Sequence, residues 1–136
     1  MRFGSREWLS ALMAALDVHP ELSEALSGLG RDAAFVVEAD PPAWPCTVVA
    51  WVEQRAGRIA RFRLLEDEDE ILELEPAYVI RAPYRAVRAL LEGADPVQAA
   101  LTGRVRVEGD LEALIRRIRY RHVLDEALGE IETELP

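Results

Sequence analysis

The 136-residue chain has no lysine and no asparagine; every one of its sixteen cationic side chains is an arginine. Schiff-base catalysis and a P-loop both require a lysine, so both chemistries are excluded. Asparagine is thermolabile, so its absence suits a thermophilic source, as it would a biased genomic composition. A single cysteine, Cys46, rules out an internal disulfide, fits a reducing cytosol and reads as an inert thiol. The two histidines fall short of the three or four ligands that zinc requires. His19, beside Pro20, reads as a helix-terminus residue and His122 as a core histidine. No apolar run approaches the ~18 residues of a membrane span, and Glu7 interrupts any secretory signal. A cytoplasmic protein without stable membrane insertion is expected. Positive charge is scarce too: a net charge of -9 argues against nucleic acid, which needs a cationic surface.

Half of the residues are apolar, so a globular fold is expected, and the length suits a single domain spanning residues 1–136. Ser5 can cap a helix whose Trp8, Leu9, Leu12, Met13 and Leu16 form one stripe. A shorter helix starts at Pro20 and stops at Gly28. Strands follow near 32–39, 47–54 and 58–65, the last two joined by a tight Arg55-Ala56-Gly57 turn. Between Glu66 and Glu75 seven of ten residues are acidic, which predicts a solvated loop with a short edge strand at Ile71–Leu74. A strand at 77–82 leads to a helix from Pro83 to Gly93. The fold class is α+β, with a five-stranded, mainly antiparallel sheet and helices packed on one face.

Alternation separates the two faces of the strands. Phe35, Val37, Val48, Ala50, Val52, Ala60, Phe62 and Leu64 are assigned to the covered face, with Ile59, Arg61 and Arg63 opposite. Val36, Val49 and Trp51 then fall on an open face and suggest a homodimer patch, shared with the C-terminal segment. The last helix changes phase. Leu111, Leu114, Ile115, Ile118 and His122 share one side, whereas Tyr120, Leu124, Ala127, Leu128 and Ile131 share nearly the opposite one. It must kink near Tyr120–Val123 or pack its tail elsewhere.

The densest signal lies at 95–110. Asp95 and Pro96 open a helix, Gly103 ends it, Arg104, Arg106 and Glu108 alternate with Val105 and Val107, and Gly109-Asp110 starts the next helix. This cassette resembles the sterol carrier protein 2-like, or sterol-binding domain, family. There an Asp/Asn-Pro helix leads into Gly-Lys-hydrophobic-Lys-hydrophobic-x-Gly-Asp/Asn; here Arg104 and Arg106 replace the lysines. Ala77–Tyr84 and residues 33–54 resemble the family's preceding strand and first hairpin, so the likeness covers about 30–122 and leaves 123–136 as an extension.

The resemblance implies a hydrophobic cavity between sheet and helices that binds, and transfers, an apolar molecule such as a fatty acid, an acyl-CoA or a sterol-like compound. It places Trp8, Leu12, Phe35, Val37, Val48, Val52, Phe62, Leu64, Tyr78, Ile80, Leu101, Val105, Val107, Leu114 and Ile118 along that cavity. From the pattern alone these residues are simply core. The competing reading is a structural or dimerisation domain with a collapsed cavity. No nucleophile-elbow motif accompanies the four serines, so no catalytic residue, cofactor or metal is assigned. Arg116, Arg117, Arg119 and Arg121 read as a solvated helix face paired with acids such as Asp125, against the sharper reading of an anion or membrane contact. Trp44, among prolines, would either close a cavity mouth or pack onto its own loop.

Overall fold

Local capping signals set the helices. Ser5 Oγ accepts the Trp8 N–H at 3.1 Å to open α1 (Arg6–Asp17). Asp95 accepts from Val97 and Gln98 to open α5 (Pro96–Leu101), and Asp110 accepts from Ala113 to open α6 (Leu111–Arg116). The computed structural model, which describes Met1–Pro136, adds α2 (Leu22–Leu26), α3 (Asp69–Leu74), α4 (Tyr84–Leu91) and α7 (Arg121–Gly129). A 3₁₀ turn, Ile118–Tyr120, separates α6 from α7. The phase break in the sequence thus resolves as a kink. Val123 and Ala127 of α7 are buried, and α7 packs on α1 within the same chain.

The strands are β1 (Asp32–Glu38), β2 (Val48–Arg55), β3 (Arg58–Leu65), β4 (Tyr78–Pro83) and β5 (Arg106–Glu108), in the spatial order β3-β2-β1-β4-β5. The sheet is mixed: β1 runs parallel to β4, and the other three pairings are antiparallel. A tight turn with Ala56 and Gly57 both at positive φ joins β2 to β3. The parallel pair arises because the chain leaves β3, crosses through α3 and returns beside β1.

That crossover overturns one expectation. Residues 66–75 are not a loop with an edge strand; they include α3, whose Ile71 and Leu74 stand three apart on one side. They pack against Ala34, Val36, Val49, Trp51, Leu65 and Val79. The face assigned as open is therefore sealed, with Val36 2 % and Trp51 4 % exposed. Trp51 Nε1 donates to buried Asp32 Oδ2 at 2.9 Å, and Arg61 and Arg63 lie over its ring. The homodimer expected through Val36, Val49, Trp51 and the C-terminal segment loses its surface, because the chain covers that surface itself. Helices consequently flank both faces of the sheet, one on this side and the rest on the other.

A second correction concerns Ile59. The β2–β3 register shifts between Glu53 and Gln54, so Ile59 pairs with Gln54 and packs on the helix-rich side with Leu64. The bulge re-phases the alternation beyond it. Trp44 is buried in an aromatic core with Phe3, Trp8 and Tyr84; its ring stacks on Tyr84 at 4.9 Å and 7°. His122 is not a core residue, since its side chain is nearly half exposed.

Candidate functional site

On the helix-rich side the pairing register stacks side chains into rows: Phe62–Val52–Ala33–Tyr78, then Leu64–Ala50–Phe35–Ile80–Val107, then Val48–Val37–Ala82. The helices do not cover these rows evenly. α1 packs on β3, and α4 packs on β4 and β1. Val37, Val48, Val52 and Leu64 contact the aromatic core beneath α1; Ile80 and Val107 contact a small core of Ala82, Ala86, Ala99 and Val105. Phe35 is left 41 % exposed although β1 is the central strand, and Phe62 is 36 % exposed. Ala33 and Ala50 beside them in the register add only methyl groups. An aromatic on the middle strand of a helix-covered face is normally buried. Its exposure marks an open apolar hollow.

The arm formed by α6 and the 3₁₀ turn spans this hollow. It begins after β5, at Gly109, whose backbone lies against the Tyr78 ring. It ends against α2, where Arg117 donates to the Glu24 carbonyl at 3.0 Å and His122 pairs with Glu21 at 2.7 Å. Ser23 of α2 in turn lies against Gly57 in the β2–β3 turn. The arm therefore runs across the width of the sheet, from edge strand β5 to the hairpin at the other edge. None of the α6 side chains is buried. Leu111, Leu114 and Ile118 are half-buried yet contact none of the three cores. Apolar side chains on the arm, and Phe35 and Phe62 on the sheet, thus all lie outside the three cores.

Histidine contacts also anchor α7, which follows the arm. His19 pairs with Glu126 at 2.5 Å, and the His19 and His122 rings lie 6.1 Å apart. The bond from Glu21 is the main cause that raises the His122 pKa above its usual value. Arg121 donates to the Leu90 and Ala94 carbonyls at the end of α4, at 2.9 and 2.8 Å. Arg116 pairs with Glu112, and Arg119 donates to the Tyr120 hydroxyl. Arg117 and Arg121 thus tie this segment to α2 and α4, while the Arg116–Glu112 pair and an Arg121–Asp125 pair at 3.5 Å match the expected helix face paired with nearby acids. Tyr78 is buried at the β5 end, and burial raises its phenol pKa.

The expected site residues separate into three groups. Phe35, Phe62, Val52, Ile80, Val107, Val37, Val48, Leu64 and Tyr78 share the helix-rich face of the sheet, and Leu114 and Ile118 are half-buried on the arm. Trp8, Leu12 and Val105 lie in filled cores. Leu101, on α5, is 68 % exposed and joins no core. The small residues Ala33 and Ala50 were not singled out in the sequence; alanine in a strand gives no signal beyond its parity. No group of His, Cys, Asp and Glu side chains could hold a metal ion.

No family model and no curated protein matches the chain. Solved structures do. A crystal structure of sterol carrier protein 2 superposes with a TM-score of 0.77 at 22% identity, over 96% of this chain and 99% of that one. The chain has the sterol carrier protein 2 fold. A solution structure of a conserved hypothetical protein from Thermus thermophilus gives 0.76 at 21% identity, covering 97% and 91%. The sterol carrier protein domain 2 of Helicoverpa armigera gives 0.58 at 19% identity, covering 97% and 94%. At such identities the likeness is one of architecture, and the sterol carrier protein 2 fold is present over nearly the whole chain.

Proposed function

We propose that the protein binds an apolar ligand, a fatty acyl chain or a molecule of similar character, in the hollow between the sheet and the α6 arm. It carries that ligand without transforming it. The observation that supports this most is the 41 % exposure of Phe35 on the central strand, facing the helix-rich side. The names of the superposed proteins as sterol carriers point the same way.

The energetics suit a carrier. Each buried methylene contributes ~0.8 kcal/mol, so a sixteen-carbon chain gains on the order of 10 kcal/mol. Association costs ~4–15 kcal/mol, which leaves moderate affinity and little selectivity among chains. No helix is long and apolar enough to cross a membrane. Ligand exchange then requires that the arm lift, which breaks the Arg117–Glu24 bond but pulls no apolar side chain from a core.

Titration of delipidated protein with a fluorescent fatty acid tests the reading. Saturable binding is expected, lost in Phe62→Asp and Val107→Asp while folding is retained. Absence of saturable binding, or binding indifferent to both substitutions, would refute it.

A further inference from the structure

A second concavity lies away from the hollow, at the end of the sheet where the parallel strands β1 and β4 finish. It is a groove of about 830 Å³ between α4 and the turn that joins α5 to β5. Ala86 and Ala89 line it with nothing larger than a methyl group, which is why the space is there. Three arginines from separate elements also line it: Arg85 of α4, Arg104 of the turn and Arg106 of β5.

Their partners differ. Arg106 is matched by Glu38, which Arg81 also approaches at 4.0 Å. The Arg85 guanidinium has a loose contact with Asp40 at 3.9 Å, and its backbone N–H donates to the same carboxylate at 3.0 Å. Arg104 forms no ion pair and no side-chain hydrogen bond. Its backbone N–H is satisfied by the Ala99 carbonyl, so the guanidinium has no structural task. In a chain of net charge -9, two little-engaged arginines aimed at one groove are unusual.

We propose that this groove binds a phosphoryl-bearing anion, gripped by Arg85 and Arg104. Guanidinium forks match phosphate oxygens with paired N–H bonds, and the volume is that of a small-molecule site. Arg106, held by Glu38, orients the near edge. The same phosphoryl chemistry occurs on soluble organic phosphates and on lipid headgroups.

The test uses the intact chain with two probes. Inorganic pyrophosphate is titrated while backbone amide resonances are followed, and sedimentation with phosphatidylglycerol vesicles is compared with phosphatidylcholine vesicles. Saturable shifts are expected at Gly103, Arg104, Arg106 and Ala86. Arg104→Gln, which removes no existing bond, should weaken that binding about tenfold, as should Arg85→Gln. Phe35→Asp should leave it intact, which separates this site from the apolar hollow. Pyrophosphate binding without vesicle association assigns the groove to soluble phosphates. Arg104-dependent association with phosphatidylglycerol, reversed by pyrophosphate, assigns it to a headgroup. Absence of saturation with both probes, or binding that Arg104→Gln leaves unchanged, overturns the proposal.

Discussion

The two faces of the sheet are finished in opposite ways. One is covered by a single six-residue helix, α3, and is dry: Ala34, Val36, Val49 and Trp51 are all buried there. The other carries α1, α4, α7 and the α6 arm, yet Phe35 and Phe62 remain substantially exposed. The quantity of helix does not decide closure. What decides it is whether the side chains on the helix meet those on the strand. Ile71 and Leu74 reach the Val36–Val49–Trp51 surface, whereas Leu111, Leu114 and Ile118 on the arm join no core. On the proposed reading the sealed face supplies stability and the open face supplies binding.

Substitutions can break that division. Trp51→Ala should cost the most, about 3–5 kcal/mol of folding stability by urea denaturation, because it empties a filled site and leaves one oxygen of buried Asp32 without its donor. Binding of an apolar probe by the folded fraction should not change. Ile71→Ala removes the lid of the sealed face and should cost about 2–4 kcal/mol, again without loss of binding. If either substitution selectively abolished binding, the assignment of faces would be wrong. Phe35→Ala is the mirror case. Its stability loss should stay below about 1.5 kcal/mol, since the ring is already wet, while probe affinity falls roughly tenfold as about 1.5 kcal/mol of ligand contact disappears.

The smallest effect concerns the clasp that holds the arm. His122 has a raised pKa through its bond to Glu21, so the pairing stabilises the fold fully below the unfolded value of 6.5. The contribution fades as pH rises through the folded value. The wild-type advantage over Glu21→Gln should therefore be present near about pH 6 and shrink in alkaline buffer, measured by thermal melts. An advantage that grew with pH would contradict the clasp.

Much of this architecture was legible in the sequence, and the failures have physical causes. Caps at Ser5, Asp95 and Asp110 are local hydrogen-bond devices, so the helices they start were readable. Strand alternation matched the two faces except at Ile59 and Ala60, where a bulge reset the parity and left Ala60 unpaired and exposed. Which face lay open was not readable. The acidic density of 66–75 masked the Ile71–Leu74 pair, and two apolar residues in a charged segment give too faint a helical period. For the site, the phenylalanines followed from strand parity, but the exposure of their rings depends on where the α6 arm crosses. That crossing is set by contacts nearly a hundred positions apart, such as Arg117 to Glu24 and His122 to Glu21. The clustering of Arg85 and Arg104 likewise exists only once α4 and the α5–β5 turn have packed together.

The central claim is that the helix-rich face, and not the sealed one, takes the ligand. A spin-labelled fatty acid added to isotopically labelled protein tests this within one spectrum. Side-chain resonances of Phe35, Ile80, Val107 and Ile118 should broaden at stoichiometric label, while those of Val36, Val49 and Leu65 stay sharp. Broadening of the second set, or of neither, would contradict the account.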